Sequence, residues 1–267
     1  MNQYIPIFKK LIALLEEGVP VACATIISAS GSVPRREGTR MLIADDRSVY
    51  GTIGGGAMEH DVIALSRRSL TSRSVIIKEF RFSEGKTRKK EMLCGGRLTI
   101  MIEPMFPPDT AIICGAGHIG HALYTLCRTM DFRTIIIDDR KEYLTRQRFP
   151  EAEMLICESF PRALAQLPIR SHDYVIACTR RHDIDQQCLE VALKKEATYI
   201  GMLGSRPKWA QIKKNLKAKG FSTRDIARVH CPIGLPIGAV TPEEIAVSIA
   251  AELIQHRNTT PTHSSKK

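Results

Sequence analysis

Three stretches of the sequence place glycines, charges and a thiol where they could hold an anion. The sharpest is Cys114-Gly115-Ala116-Gly117-His118-Ile119-Gly120. The apolar run 111–114 leads into it and the helical pattern 118–130 leaves it, so GxGxxG falls on a strand-to-helix turn. Gly115 permits the tight turn, Gly117 lets backbone approach a phosphate, and Gly120 lets helix and strand pack closely. The helix start adds free N–H groups and a partial positive charge. The next apolar run ends at Asp138, 23 positions after Gly115, where a carboxylate can bind ribose hydroxyls. This context predicts a nucleotide-like ligand, the alternative being a Rossmann fold with an altered site. Asp138 and Asp139 disfavour a 2′-phosphate while Arg140 favours one, so NAD and NADP both stay open. His118 either contacts the ligand or packs against the turn.

The second stretch, GTIGGGAME over 51–59, places Gly54, Gly55 and Gly56 between a strand and a helix, a second potential anion cradle. Glu59 in the first helical turn either complements the helix dipole or takes part in a ligand site. Nearby, Arg35 and Arg36 lie in a loop; arginines there pair with phosphate oxygens or are simply solvated. The third stretch is Cys94-Gly95-Gly96. Lys86, Arg88, Lys89, Lys90 and Arg97 surround it in sequence and favour the thiolate. Cys114, Cys157 and Cys178 instead end apolar runs that read as buried strands. With eight scattered cysteines and no CxxC, neither a disulfide framework nor a zinc cluster is expected.

Two polar loops complete the candidates. Thr179-Arg180-Arg181-His182-Asp183, with Asp185, follows one strand-like run. Gly204-Ser205-Arg206-Pro207-Lys208 follows another. Ligands of open α/β sheets bind outside the carboxyl ends of strands, so Ser205 and Arg206 are placed to line a cleft. His182 with Asp183 or Asp185 is the visible acid–base candidate.

The elements that must position these residues follow from patterning. Short apolar runs at 111–114, 134–138, 154–157, 174–178 and 199–203 alternate with helix-like stretches, notably 184–196 and 208–219. Strands without polar alternation, interleaved with helices, imply a doubly wound parallel sheet covered on both faces, a Rossmann-like α/β domain over 107–257. Thr241-Pro-Glu-Glu opens a last helix as a capping box, and the polar tail 258–267 is expected to be disordered. Residues 1–106 read as a smaller α+β domain. It has a helix near 3–17, strands near 19–28, 40–44, 49–52, 74–81 and 97–103, and a helix near 57–70.

The 267 residues are 43% apolar and 25% charged, as in soluble globular proteins. No run of about 18 uncharged apolar residues spans a membrane, and the N-terminus lacks the order of a signal peptide, so a cytoplasmic location is expected. The net charge of +11 is spread over both parts, which argues against a nucleic-acid arm and suits either a small anionic ligand or acidic partner, or simply a solvated basic surface.

Taken together, GSVPRREGTRMLI, GTIGGGAMEHDVI, MLCGGRLTIMIEP, IICGAGHIGHAL, TRRHDIDQQCL, YIGMLGSRPKWAQI and CPIGLPIGAVTPEEIAVSIAAELI resemble the XdhC/CoxI family, the xanthine dehydrogenase accessory factors. The pieces cover nearly the whole chain in the family's order. The resemblance implies a non-catalytic chaperone that binds molybdenum cofactor, protects it during sulfuration and inserts it into a xanthine dehydrogenase-like molybdenum hydroxylase. It also implies a cysteine desulfurase partner and homo-oligomers. Many members have cysteine after the triple glycine, where this chain has Ala57. That leaves Cys94 as the expected sulfur-side contact to molybdenum. The competing readings are an NAD(P)-dependent oxidoreductase and a nucleotide-sensing regulator.

Overall fold

The computed structural model describes residues 4–82 and 96–259, the side chain of His182 excepted. Cys94, the basic loop 85–90 and residues 260–267 lie outside the described residues. The chain divides into two compact units, which meet in sequence between Pro107 and Pro108.

In the first unit, α1 (Tyr4–Glu16) ends at Gly18, whose φ of 74° suits a residue without Cβ. The strands β1 (Val21–Gly31), β2 (Arg40–Ala44), β3 (Val49–Gly51), β4 (Ile76–Phe82) and β5 (Gly96–Met105) form, among the described residues, one antiparallel sheet ordered β3-β2-β1-β5-β4. Between β3 and β4 runs α2 (Gly56–Ser72). Helical spacing buries Leu11 and Leu14 of α1 against Val21, Cys23 and Leu42. Met58, Val62 and Leu70 of α2 cover the other face, with Ala22, Ala24 and Ile26. Central strand β1 is therefore apolar on both sides. A bulge between Ile26 and Ser28 turns Ile27 outward and lets β1 continue along β5 to Gly31.

The second unit runs β6 (Thr110–Cys114), α3 (His118–Thr129), β7 (Arg133–Asp138), a 3-10 turn (Lys141–Tyr143), β8 (Met154–Cys157), α4 (Phe160–Gln166), β9 (Asp173–Ala177), α5 (His182–Ala192), β10 (Tyr199–Met202), α6 (Arg206–Ala218), α7 (Thr223–Ile226), β11 (Val229–His230) and α8 (Pro242–Thr259). All pairings are parallel, in the order β8-β7-β6-β9-β10-β11. Counted from β6 this is 3-2-1-4-5-6, the doubly wound Rossmann order, with its topological switch between β6 and β9. One face of the sheet packs on α3 and α8 through Leu123, Cys127, Ile249 and Leu253. The other packs on α4 to α7 through Leu164, Leu189, Ile212 and Ile226. Both faces are covered, which accounts for strands without alternation.

The structure departs from the sequence reading in several places, four of which bear on its strands, thiols and helix ends. A sixth strand, β11, has two residues, too few to leave a pattern. Cys157 is exposed rather than buried, because β8 is the sheet's edge strand. Helix α5 ends at Ala192, four residues before the expected limit. Helix α8 continues through Asn258 and Thr259, the first two residues of the expected tail. The capping box at its start is formed: Thr241 Oγ1 accepts from Glu244 N–H at 3.2 Å, and Glu244 Oε2 from Thr241 N–H at 3.0 Å.

Candidate functional site

At the switch point the chain leaves β6 through Gly115, whose φ is 127° and whose N–H donates to Ile137 O at 2.8 Å. A Cβ there would meet Cys178 O at 2.4 Å, so the turn presses against the end of β9 and only glycine fits. At Gly120 a Cβ would fall 1.8 Å from Gly115 O, which shows how closely α3 seats on the loop. At Gly117 nothing lies within 4 Å of the same position. Gly117 caps α3 without any side-chain acceptor, and His118 opens the helix exposed. Two glycines are thus consumed by packing, and the third leaves room where helix N–H groups emerge.

Asp138, at the carboxyl end of β7, is 1% exposed. Its Oδ2 accepts from Ala116 N–H at 2.8 Å and Arg140 Nη2 at 3.0 Å. Its Oδ1 accepts from Arg140 N–H at 3.0 Å and Arg140 Nε at 2.9 Å. Burial pushes this carboxyl up, but the Arg140 and Ala116 bonds outweigh burial and hold it below the ordinary aspartate range. Beside it, Asp139 pairs with Arg180 through two bonds of 2.7 and 2.9 Å, joining the loops after β7 and β9. Asp185, in the first turn of α5, accepts from Thr179 N–H (3.0 Å), Thr179 Oγ1 (2.7 Å) and Lys208 Nζ (2.9 Å). Lys208 also donates to Leu203 O at 3.1 Å.

The carboxyl ends of β6, β7, β9 and β10 therefore gather Gly115, Gly117, His118, Asp138, Arg140, Arg180, Asp185 and Lys208. Ser205 caps α6, its Oγ accepting Lys208 N–H at 3.4 Å, and Arg206 follows it exposed. Asp183 forms an exposed pair with Arg181, and the side chain of His182 lies outside the described residues. Sequence reading missed Cys231, which follows β11 half-buried. A Cβ on Gly204 would lie 3.6 Å from its Sγ. Burial pushes that thiol up to about 11, against the opposing pull of Lys208. It also missed Glu252 on α8, which accepts from Gly234 N–H and bonds His230 Nδ1 at 2.7 Å, pinning the PIGLPIG loop. No pattern marks partners so far apart in sequence.

In the first unit, Gly54, Gly55 and Gly56 have φ of 136°, 77° and 69°, a run that calls for glycine at each position. The amide cradle they form is filled from within. Glu59 Oε2 accepts from Thr52 Oγ1 at 2.6 Å, Gly55 N–H at 3.0 Å and Ile53 N–H at 3.2 Å. Burial pushes Glu59 up, but these bonds dominate and hold it below the ordinary glutamate range. Around Gly55 and Gly56 the space a Cβ would enter is open, whereas at Gly54 it is closed by Pro34 Cγ at 2.7 Å. The loop carrying Arg35 and Arg36, both exposed, thus lies against the glycine loop. Gly96 opens β5 against the same segment, with Ser32 O 2.5 Å from its would-be Cβ. Cys94, two residues earlier in sequence, lies outside the described residues.

Glu59→Ala is expected to destabilise the first unit by about 2 kcal/mol, since it strands three donors of a charged acceptor. The sign with pH follows from the lowered folded-state pKa. The wild-type contribution is complete above the unfolded glutamate value and is lost as pH falls through the lower folded one. Urea unfolding at neutral pH and near pH 3 checks both; a variant gap that does not narrow in acid would contradict this role.

Fold and loops together define a two-unit α/β protein whose Rossmann unit carries a glycine turn. Residues 111–253 match the XdhC Rossmann domain, and residues 14–80 match the XdhC and CoxI family. The chain belongs to that family. It is 33% identical over 256 residues to the uncharacterized protein YqeB of Escherichia coli, covering 96% of this chain and 47% of that protein. It is 33% identical over 158 residues to a probable xanthine dehydrogenase component of Bacillus subtilis, covering 59% of this chain and 46% of that protein. The chain thus spans about half the length of the curated relatives it matches. A solved structure titled as a xanthine dehydrogenase from Bacillus halodurans shares the fold, with TM-score 0.54 and 23% identity over 96% of this chain and 97% of that one. Among the described residues, no helix is long and apolar enough to cross a membrane.

Proposed function

We propose that the chain is a maturation factor for a xanthine dehydrogenase-like molybdenum hydroxylase. In this reading it binds molybdenum cofactor, supports its sulfuration and delivers it to the apo-hydroxylase, with a cysteine desulfurase as sulfur source and a homo-oligomer as the working form. The observation that carries the reading is the match of one chain to both parts of the XdhC and CoxI family, together with the likeness to a probable xanthine dehydrogenase component.

Each unit carries features suited to such a ligand. Molybdenum cofactor is an anionic pterin, and in the Rossmann unit Gly117 leaves open space at the start of α3, where helix N–H groups favour an anion. In the first unit, taken by itself, the backbone at Gly55 and Gly56 is open on the side a Cβ would take, with Arg35 and Arg36 in the adjoining loop. Cys94 supplies a thiol for the sulfur side. Among the described residues, both candidate carboxylates are paired: Asp185 is buried on Lys208, and Asp183 is paired with Arg181.

The test is anaerobic equilibrium binding of molybdenum cofactor to the purified chain, followed by transfer to an apo-hydroxylase. Saturable binding near one per chain, with activation of the acceptor, is expected. Cys94→Ala should lose retention or sulfuration, whereas Cys127→Ala should not: Cys127 is buried and its thiol is pushed up to about 12. Failure to bind cofactor, with NADH oxidised instead, would replace this reading with the oxidoreductase.

A further inference from the structure

The second strand of a Rossmann sheet ends where a dinucleotide's adenosine ribose sits, and an acid there normally accepts from its two hydroxyls. In this chain that acid has no acceptor capacity left. A carboxylate offers about four lone-pair sites, and Asp138 receives four donors: Ala116 N–H, Arg140 N–H, Arg140 Nε and Arg140 Nη2. Its neighbour Asp139 accepts both Nη groups of Arg180. What the end of β7 presents outward is two guanidinium groups.

Their states differ. Arg140 is fixed: it is forked onto a carboxylate that is itself 1% exposed, and its guanidinium lies 3.8 Å from the Tyr143 ring centroid. Nη1 is not used in that fork. Arg180 is held loosely, because its pair with Asp139 is solvent-exposed on both sides, at 41% and 32%. Solvent-exposed pairs of this kind contribute little, so Arg180 can turn to another anion at small cost. A rigid guanidinium edge beside a movable one is an arrangement suited to bidentate capture of phosphate.

We infer that the carboxyl-end cleft takes a ligand carrying a phosphate monoester at the end of β7, read by Arg140 and Arg180, and discriminates against a bare ribose diol there. Arg140 and Arg180 are specificity-determining residues, and Asp138 positions Arg140. The inference rests on the cleft being a ligand site and not on the maturation role. The phosphate has two chemical sources, the 2′-phosphate of a dinucleotide and the terminal phosphate of a pterin.

The test titrates the full chain with NADPH, NADH and phosphate-bearing molybdenum cofactor released anaerobically from a molybdoenzyme. A dinucleotide source gives NADPH affinity at least tenfold above NADH. A pterin source gives tight binding of the released cofactor, lost on phosphatase treatment, with both nucleotides weak. In either case Arg180→Ala weakens the phosphorylated ligand at least tenfold and leaves NADH unchanged. Asp139→Asn, which frees Arg180 and removes a repelling charge, tightens the phosphorylated ligand several-fold. A structural role for the pair would not produce these opposite effects, and both positions are exposed enough to spare the fold. NADH binding as well as or better than NADPH, with the pterin insensitive to phosphatase, would overturn the inference while leaving the cleft a ligand site. Failure of all three probes to bind would overturn both.

Discussion

Lys208→Met is expected to destabilise the Rossmann unit by about 3–5 kcal/mol, among the largest single side-chain effects in the chain. Asp185 has a side chain only 2% exposed, and Lys208 is 14% exposed. Taking the ammonium away leaves a carboxylate in the interior with Thr179 as its partner. Breaking a buried pair from one side costs far more than the intact pair contributes, because the remaining charge keeps its desolvation penalty. For a unit of this size the loss corresponds to a fall in Tm of roughly 6–20 °C.

The same reasoning sets the control. In Lys208→Met with Asp185→Asn, the buried charge is gone and the Thr179 bonds retain an acceptor, so much of the loss should return. The coupling between the two positions should then exceed about 1 kcal/mol in a double-mutant cycle. Thermal unfolding of the four proteins measures it. A single variant Lys208→Met within about 1 kcal/mol of wild type would mean that water reaches Asp185. The pair ties the start of α5 to the start of α6 beside Gly204, so its loss should also loosen the polar loops at the cleft.

That pair illustrates what the sequence could and could not convey. The parallel sheet was legible because strands covered on both faces have no polar alternation, as in Ala111-Ile112-Ile113-Cys114. Gly115 and Gly120 were legible because the packing of the turn admits no side chain at either position. The two-residue strand β11 was not, since two residues carry no period. Partner choice was not legible either. Asp138 has the position of a ribose-binding acid, yet its lone pairs go to Ala116 and to Arg140 two residues on. Glu59 sits where a helix dipole accepts a carboxylate, but its bonds to Ile53 and Gly55 make it the occupant of the glycine cradle. Lys208 and Asp185 were both visible as polar loop residues 23 positions apart, with nothing in the spacing to join them. Periodicity reports which face is buried; it does not report which donor meets which acceptor.

Gly120→Ala and Gly117→Ala should separate the two uses of glycine in the turn. A Cβ at Gly120 would stand 1.8 Å from Gly115 O and 3.0 Å from Gly115 C. Gly115 cannot retreat, because Cys178 O backs it on the other side and its N–H is held by Ile137 O. Helix α3 must therefore lift from the sheet, and it is packed against α8 through the core containing Leu123, Cys127, Ile249 and Leu253. Overpacking a core costs about 1–3 kcal/mol when side chains can yield. Here the obstacle is backbone, so the loss should exceed about 3 kcal/mol and show as a large fall in Tm or as insoluble protein. Gly117 has φ of −70°, a value open to any residue, and meets nothing within 4 Å. Alanine there should leave stability within about 0.5 kcal/mol of wild type. Its methyl group would still occupy the space in front of the α3 N–H groups, so ligand affinity should fall at least tenfold with the fold intact. Comparable destabilisation by the two substitutions would overturn this division of roles, and unchanged binding of phosphorylated ligand by Gly117→Ala would show that the open space at this turn is not where the ligand sits.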